Sequence, residues 1–151
     1  MQDKVYVDTS SLILLIKINA LSLLKKIYSI VYITNIIKSE FNELIPPWII
    51  VEEIKEIEFT YLSSFNLGPG ESSIITNAIK FNAFLIIDDL KARKVATILK
   101  LKLTGCIGIL IIAKEEGHIL SVKYYLEKIQ ETNFRISGQL IRNALELAKE
   151  K

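Results

Sequence analysis

Carboxylates at the ends of apolar runs are the residues of this sequence best suited to chemistry. The run KVYV ends in Asp8, and the run FLII ends in the adjacent pair Asp88 and Asp89. Two ionised carboxylates about 4 Å apart repel each other by roughly 4 kcal/mol at an effective dielectric constant of about 20. Because a bound cation would offset that repulsion, the acidic pair indicates a metal site.

Two glutamates extend this acidic set. Glu40 falls inside a predicted helix whose apolar positions indicate a largely buried face, and Glu71 follows a Gly-Pro-Gly turn at the start of another helix. Oxygen ligands with no histidine or cysteine among them suit Mg²⁺ or Mn²⁺ rather than zinc. A handful of such acids is enough to hold one or two ions, since Mg²⁺ keeps several of its waters.

These acids must be positioned by alternating strands and helices. Strands are predicted at 4–7, 30–33, 48–54 and 83–87, a short strand or turn followed by a helix within 102–117, and further helices at 9–18, 21–27, 34–44, 71–81, 90–100, 121–132 and 137–150. This alternation predicts a mainly parallel sheet covered on both faces by helices. Ligands of such sheets bind outside the carboxyl ends of the strands, where the strand order reverses.

Several of these residues also have a purely structural interpretation. Thr9 and Ser10 can cap the first helix, and Ser10 can also contact a metal-bound water. Asp88 can cap the helix that follows it. Glu71 is favoured at a helix N-terminus by the macrodipole whatever the function.

Length and composition predict one globular domain over residues 1–151. The chain of 151 residues is 50% hydrophobic, which excludes a disordered chain. Its net charge of +2 neither demands nor excludes a nucleic acid partner. Cys106 and His118 are the only residues of their kinds, which excludes an intramolecular disulfide and a zinc cluster, and both are interpreted as structural or incidental. The apolar runs resemble neither a spanning helix nor a signal peptide, so we expect a cytoplasmic protein without a membrane partner.

The order of the acidic motifs resembles that of the PIN-domain nucleases along most of the chain. VYVDTSS at 5–11 matches a strand that ends in Asp, and IKSEF at 37–41 matches a helical glutamate motif. GESSIITNA at 70–78 matches an acid that begins a helix, and IIDD at 86–89 matches an acid at the next strand end. Residues 88–110, together with FRIS at 134–137, are similar to a small prokaryotic branch of this family. Many members of that branch are predicted toxins of toxin–antitoxin pairs.

This resemblance implies a three-layer α/β/α sandwich that hydrolyses RNA phosphodiester bonds with Mg²⁺ or Mn²⁺. The catalytic and metal-binding residues would be Asp8, Glu40, Glu71 and Asp89, with Asp8 and Asp89 as central ligands and Asp88 as a further candidate ligand. Metal ions in such sites orient a water, help to deprotonate it and stabilise the charge of the leaving oxygen. The implied partners are RNA, a small antitoxin protein and a second copy of the chain in a homodimer.

Basic residues follow the acidic pair. Lys91, Arg93 and Lys94 lie on the next predicted helix, where they could position phosphates or form only a solvated helix face. Arg135 and Arg142 are weaker candidates for the same role.

Two other functions stay open. Ile87 stands where many PIN domains carry Thr or Ser, and this departure favours a catalytically silent module of the same fold that binds RNA or a partner protein. A phosphatase with Asp8 as its nucleophile would need a second Asp two residues later, where this chain has Ser10.

Overall fold

Short apolar runs rich in β-branched residues form the strands of one sheet in the computed structural model, which describes residues 4–151. The predicted domain boundary at residue 1 lies outside the described residues. The strands are β1 (Val5–Val7), β2 (Val31–Thr34), β3 (Ile49–Glu52), β4 (Phe84–Ile86) and β5 (Lys102–Thr104). Their order across the sheet is β3-β2-β1-β4-β5, and every pair of neighbours is parallel.

Helices cover this sheet and confirm the predicted three-layer α/β/α architecture. They are α1 (Thr9–Lys17), α2 (Ser22–Tyr28), α3 (Asn35–Glu40), α4 (Pro69–Phe81), α5 (Leu90–Ile98), α6 (Cys106–Glu115), α7 (Val122–Gln130) and α8 (Gly138–Leu147). Residues 56–65, whose aromatic and polar residues alternate without a clear period, form two 3₁₀ helices, Glu56–Glu58 and Thr60–Phe65. None of the helices within residues 4–151 is long and apolar enough to cross a membrane.

The strand order reverses between β1 and β4. The chain first builds the sheet outward from β1 through β2 to β3, and it then crosses to the other side of β1 to add β4 and β5. Asp8 directly follows β1, and its backbone N–H donates to Ile86 O of β4 at 3.1 Å. Because Leu85, Ile86 and Ile87 are fully buried, the end of β4 is held firmly beside the end of β1.

Two local predictions are wrong. The residue that caps α1 is Asp8, whereas Thr9 is the first residue of that helix. The helix α3 ends at Glu40 rather than near residue 44, because Phe41 takes an extended backbone conformation and turns its ring into the core. The caps of α3, α7 and α8 are Thr34, Ser121 and Ser137, whose side chains accept hydrogen bonds from backbone N–H groups.

A carboxylate from the end of α8 fixes the pair α7 and α8. Glu150 accepts hydrogen bonds from Lys114 Nζ at 2.9 Å and from the backbone N–H groups of Val122 at 2.7 Å and Lys123 at 3.1 Å. Burial raises the pKa of Glu150, but these hydrogen bonds outweigh burial and lower it to about 2. Glu150 therefore ties the segment after α8 to α6 and to the start of α7.

Candidate active site

Asp8 is the most deeply buried carboxylate of the predicted set. Its side chain is 1% exposed, and Oδ1 accepts the backbone N–H of Ser11 at 2.8 Å. The hydroxyl of Ser10 lies 3.3 and 3.2 Å from the two carboxylate oxygens. Burial, aided by the charge of Asp88, raises the pKa of Asp8 to about 6 in spite of the hydrogen bonds from Ser11 and Ser10. A cation bound nearby would favour the ionised form and offset this shift.

Asp88 is tied to two helices by hydrogen bonds. Its Oδ2 accepts the hydroxyl of Ser11 at 2.6 Å, and its Oδ1 accepts the backbone N–H of Cys106, the first residue of α6, at 3.0 Å. Ser11 therefore bridges Asp8 and Asp88. The prediction that Asp88 caps the helix after it is wrong, because Asp89 fills that role by accepting the N–H of Ala92 at 2.9 Å.

Glu71 connects the other acids electrostatically. It lies in the first turn of α4, where Oε2 accepts the N–H of Gly68 at 3.3 Å. Burial and then the negative charges of Asp89 and Glu40 raise the pKa of Glu71. The sensitivity of Glu71 to both neighbours puts the three carboxylates into one electrostatic cluster.

Glu40 is the last residue of α3 and is exposed, whereas the sequence predicted a position inside the helix on a largely buried face. Its Oε1 accepts the hydroxyl of Thr9 at 3.2 Å, which draws it toward Asp8. A negative charge is disfavoured at a helix C-terminus. Helix stability therefore gives no reason for a glutamate at this position.

Gly70 makes room for Glu40. A Cβ added at Gly70 would lie 1.9 Å from Glu40 Oε1 and 2.8 Å from Ile37 Cδ1, whereas a Cβ at Gly68 would meet nothing nearer than 3.7 Å. The first position thus leaves no space for a methyl group unless the Glu40 carboxylate moves.

We expect Gly70→Ala to displace the Glu40 carboxylate, and a shift of roughly 1 Å in a group that takes part in a reaction lowers its rate by about a hundredfold. The overpacking against Ile37 should also reduce the free energy of unfolding by about 1–3 kcal/mol, partly offset by the better helix propensity of Ala. The rate of the reaction at this site and urea unfolding check both results. Gly68→Ala is the matched control, and equal losses in the two variants would contradict the role given to Gly70.

The basic residues after the acidic pair divide into different roles. Lys91 lies close enough to lower the pKa of Glu71, against the effects that raise it. Arg93 turns back toward the sheet, where Nη1 donates to Ile87 O at 2.7 Å. Lys94 is exposed and has the solvated position that its helix face allows.

Two residues with a direct relation to the acids were missed by sequence reasoning. Ser11 follows two other hydroxyl residues, and the sequence alone gives no sign of which of the three faces Asp88. Phe134 lines a cavity together with Asp88 and Asp89, although it lies far from them in the chain. Arg135, which the sequence offered only as a weaker candidate for phosphate contact, lines the same cavity.

The donor set fits a hard divalent cation in chemical type. All the candidate ligands are carboxylates, and the raised pKa values of Asp8 and Glu71 are those of acids that a cation would relieve. Across the described residues, no three Asp, Glu, His or Cys side chains stand close enough together to form a ready-made metal cage. Ion binding would therefore require side-chain rotation, for which Glu40 and Asp89 are exposed.

Cysteine and histidine chemistry does not compete with this site. Cys106 is buried, and burial followed by the charge of Asp88 raises the pKa of its thiol well above the ordinary value, so the reactive thiolate is suppressed. His118 contacts Glu116 at 3.3 Å on a different part of the surface.

Comparison with known proteins adds one finding. A family model described as a PIN domain matches residues 4–150. No curated protein and no solved structure matches the chain. The matched range contains every carboxylate of the candidate site.

Proposed function

The chain belongs to the PIN-domain family, and from this premise we propose that it is a divalent-metal-dependent ribonuclease that hydrolyses phosphodiester bonds of RNA. PIN domains are in general nucleases. The observation that carries the proposal is the buried carboxylate of Asp8, 1% exposed, which lies next to Asp88 where the strand order reverses. Burial of a charge without a partner is costly, and a function at this position accounts for it.

The proposed ligands are Asp8 and Asp89 at the centre, with Glu40 and Glu71 completing the set directly or through water. When bound, Mg²⁺ or Mn²⁺ would activate a water for attack on phosphorus and stabilise the charge of the leaving oxygen. Asp88 is the less suitable ligand, because its oxygens already accept hydrogen bonds from Ser11 and Cys106.

The protein's own groups prepare this chemistry. The N–H of Ser11 fixes the orientation of Asp8, so that little reorganisation of this carboxylate is needed during the reaction. Glu71 is half-buried, and the N–H of Gly68 donates to its Oε2, which holds this proposed ligand at the start of α4.

The first test is cleavage of a mixed pool of labelled single-stranded and structured RNAs by the purified protein with Mg²⁺, Mn²⁺ or EDTA. We expect cleavage with either metal and none with EDTA. Glu146→Gln, which removes an exposed carboxylate on α8, is the control and should cut like the wild type. Cleavage that persists in EDTA would exclude the proposed chemistry.

A catalytically silent module that binds RNA or a protein is the second candidate. It is favoured by Ile87, which offers no hydroxyl beside the acids, and by the lack of a ready-made cage of three ligands within residues 4–151. Binding of RNA without cleavage under every metal condition would move this candidate to first place.

We also propose that the protein acts in the cytoplasm as the toxin of a toxin–antitoxin pair and that it forms a homodimer. The first proposal is supported by the resemblance to the toxin-like branch. The second is supported by α8, on which Leu140 is 45% exposed and Leu147 is 67% exposed. Growth of cells that express the protein with and without a neighbour-encoded partner tests the toxin, and light scattering tests the dimer.

A further inference from the structure

A cavity of about 690 Å³ opens directly beside the acids. Asp88 and Asp89 lie at its acidic end. Its walls include apolar and basic side chains from three other parts of the chain: Leu90, Ile107, Phe134, Leu140, Arg93 and Arg135. The cavity therefore combines a flat apolar surface with positive charge next to the proposed point of cleavage.

Phe134 also lines a second cavity. The second cavity, of about 240 Å³, is lined by Ser10, Lys17 and Phe134 among others. Ser10 contacts Asp8, so both cavities border the candidate active site, and Phe134 lines both of them. An extended ligand that crosses the acids would pass this ring.

The backbone that carries Phe134 is anchored. Its N–H donates to Thr132 Oγ1 at 3.1 Å, and the same hydroxyl donates to Ile129 O at the end of α7 at 2.6 Å. Phe134 itself is half-buried. A ring that is held in place before binding loses little conformational entropy when a ligand stacks on it.

Arg135 offers a charge to the same ligand. It is exposed, and among residues 4–151 it forms no hydrogen bond or ion pair. Arg93, by contrast, already donates to Ile87 O at 2.7 Å. An acidic peptide could bind this guanidinium, but an aromatic ring beside an arginine matches the alternating base and phosphate of a nucleic acid strand more closely.

We propose that Phe134 and Arg135 form a nucleotide subsite for single-stranded RNA next to the bond that is cut. A base stacks on the Phe134 ring, and a phosphate of the same strand binds Arg135. A paired base has its faces covered by its own neighbours, so the subsite selects unpaired RNA. The inference rests on the proposed function for the position of the cut, but not for the binding itself.

Binding of a short labelled single-stranded RNA, measured by fluorescence anisotropy in EDTA, separates stacking from packing. We expect Phe134→Leu, which keeps apolar volume but removes the ring, to weaken binding by about tenfold to a hundredfold. Phe134→Trp should bind at least as well as the wild type. The control is Tyr61→Ala, which removes another exposed aromatic outside both cavities and should leave binding unchanged. Wild-type affinity in Phe134→Leu, or no binding by the wild type, would overturn the subsite.

The salt dependence of the same binding identifies the phosphate contact. The plot of log affinity against log salt has a negative slope, and Arg135→Gln should make it shallower by about 0.7. This is the contribution of one phosphate contact on a single strand. Arg135→Lys should keep the slope, and Phe134→Leu should keep it while lowering the affinity. An unchanged slope in Arg135→Gln would contradict the role of Arg135. A duplex of the same sequence should bind equally to the wild type and to Phe134→Leu.

The outcomes also separate this inference from the proposed function. RNA binding that depends on Phe134, without cleavage under any metal condition, supports the subsite and rejects the ribonuclease. Cleavage and binding that are both insensitive to Phe134→Leu reject the subsite and keep the ribonuclease. Loss of a protein partner in Phe134→Leu with unchanged RNA binding rejects an RNA subsite in favour of a protein-binding one.

Discussion

Asp8→Asn is expected to abolish RNA cleavage and, at the same time, to make the metal-free protein more stable. Burial raises the pKa of Asp8 from 3.8 to about 6, a difference equivalent to about 3 kcal/mol of destabilisation by the ionised form. Asparagine removes this charge but still accepts the N–H of Ser11 as a helix cap. A gain of about 2–3 kcal/mol in the free energy of unfolding should therefore appear near neutral pH.

The pH dependence follows from the direction of the shift. Because the folded-state pKa lies above the unfolded value, the contribution of Asp8 to stability is fully present below pH 3.8 and is lost as the pH rises through about 6. Asp8→Asn does not undergo this loss. The advantage of the variant should thus be present near neutral pH and absent near pH 3.8. Urea unfolding in EDTA, followed by the fluorescence of Trp48, measures it.

Cleavage by Asp8→Asn should fall by roughly a thousandfold or more, because several kcal/mol of transition-state stabilisation depend on the site. Glu146→Gln serves again as the control and should change neither stability nor cleavage. A variant that is both inactive and less stable would make Asp8 a structural charge. A variant that is more stable but fully active would remove Asp8 from the chemistry.

Asp88 and Asp89 should respond in opposite ways to substitution. Asp88→Ala leaves the hydroxyl of Ser11 and the N–H of Cys106 without their acceptor, and each lost hydrogen bond to a charged group is worth about 1.5–3 kcal/mol. We expect the free energy of unfolding to fall by about 3 kcal/mol or more. Asp89→Asn keeps a good helix cap, so stability should change by less than about 0.5 kcal/mol.

Cleavage per amount of folded protein should change in the opposite order, with the larger loss in Asp89→Asn than in Asp88→Ala. Asp89→Asn should reduce cleavage by about a hundredfold or more, because it removes a proposed metal ligand. Asp89→Ala, the second variant, also removes the helix cap, so its free energy of unfolding should fall by about 1 kcal/mol. If Asp88→Asn is stable and inactive while Asp89→Asn remains active, the acid of the family motif is Asp88.

The inner strands β1, β2 and β4 were predictable from sequence because they are largely buried on both faces. Residues 85–87 are apolar without interruption and fully buried, so composition alone identifies the strand and its end. The same reasoning finds Asp8 and the pair Asp88 and Asp89, since parallel strands end at one edge. What local sequence does not contain is the direction of each side chain beyond that edge.

The division of roles between the two aspartates shows this limit. The partner of Asp88 is Cys106, 18 residues further along the chain, and its other partner, Ser11, is 77 residues away. Such contacts depend on how α1 and α6 pack, not on local propensity. The end of α3 has a similar cause, because burial of Phe41 overrides a helical pattern that extended further.

Each strand-end aspartate accepts a backbone N–H at the N-terminus of a helix: Asp8 at α1, Asp89 at α5 and Asp88 at α6. Each terminus carries about half a positive elementary charge, so the polypeptide itself offsets part of the negative charge. The helix termini thus stabilise the acids in part without an ion, whereas a zinc finger folds only around its metal. A cation at the proposed site would add to this effect, so free magnesium in the surroundings would raise the stability of the protein as well as support the proposed reaction.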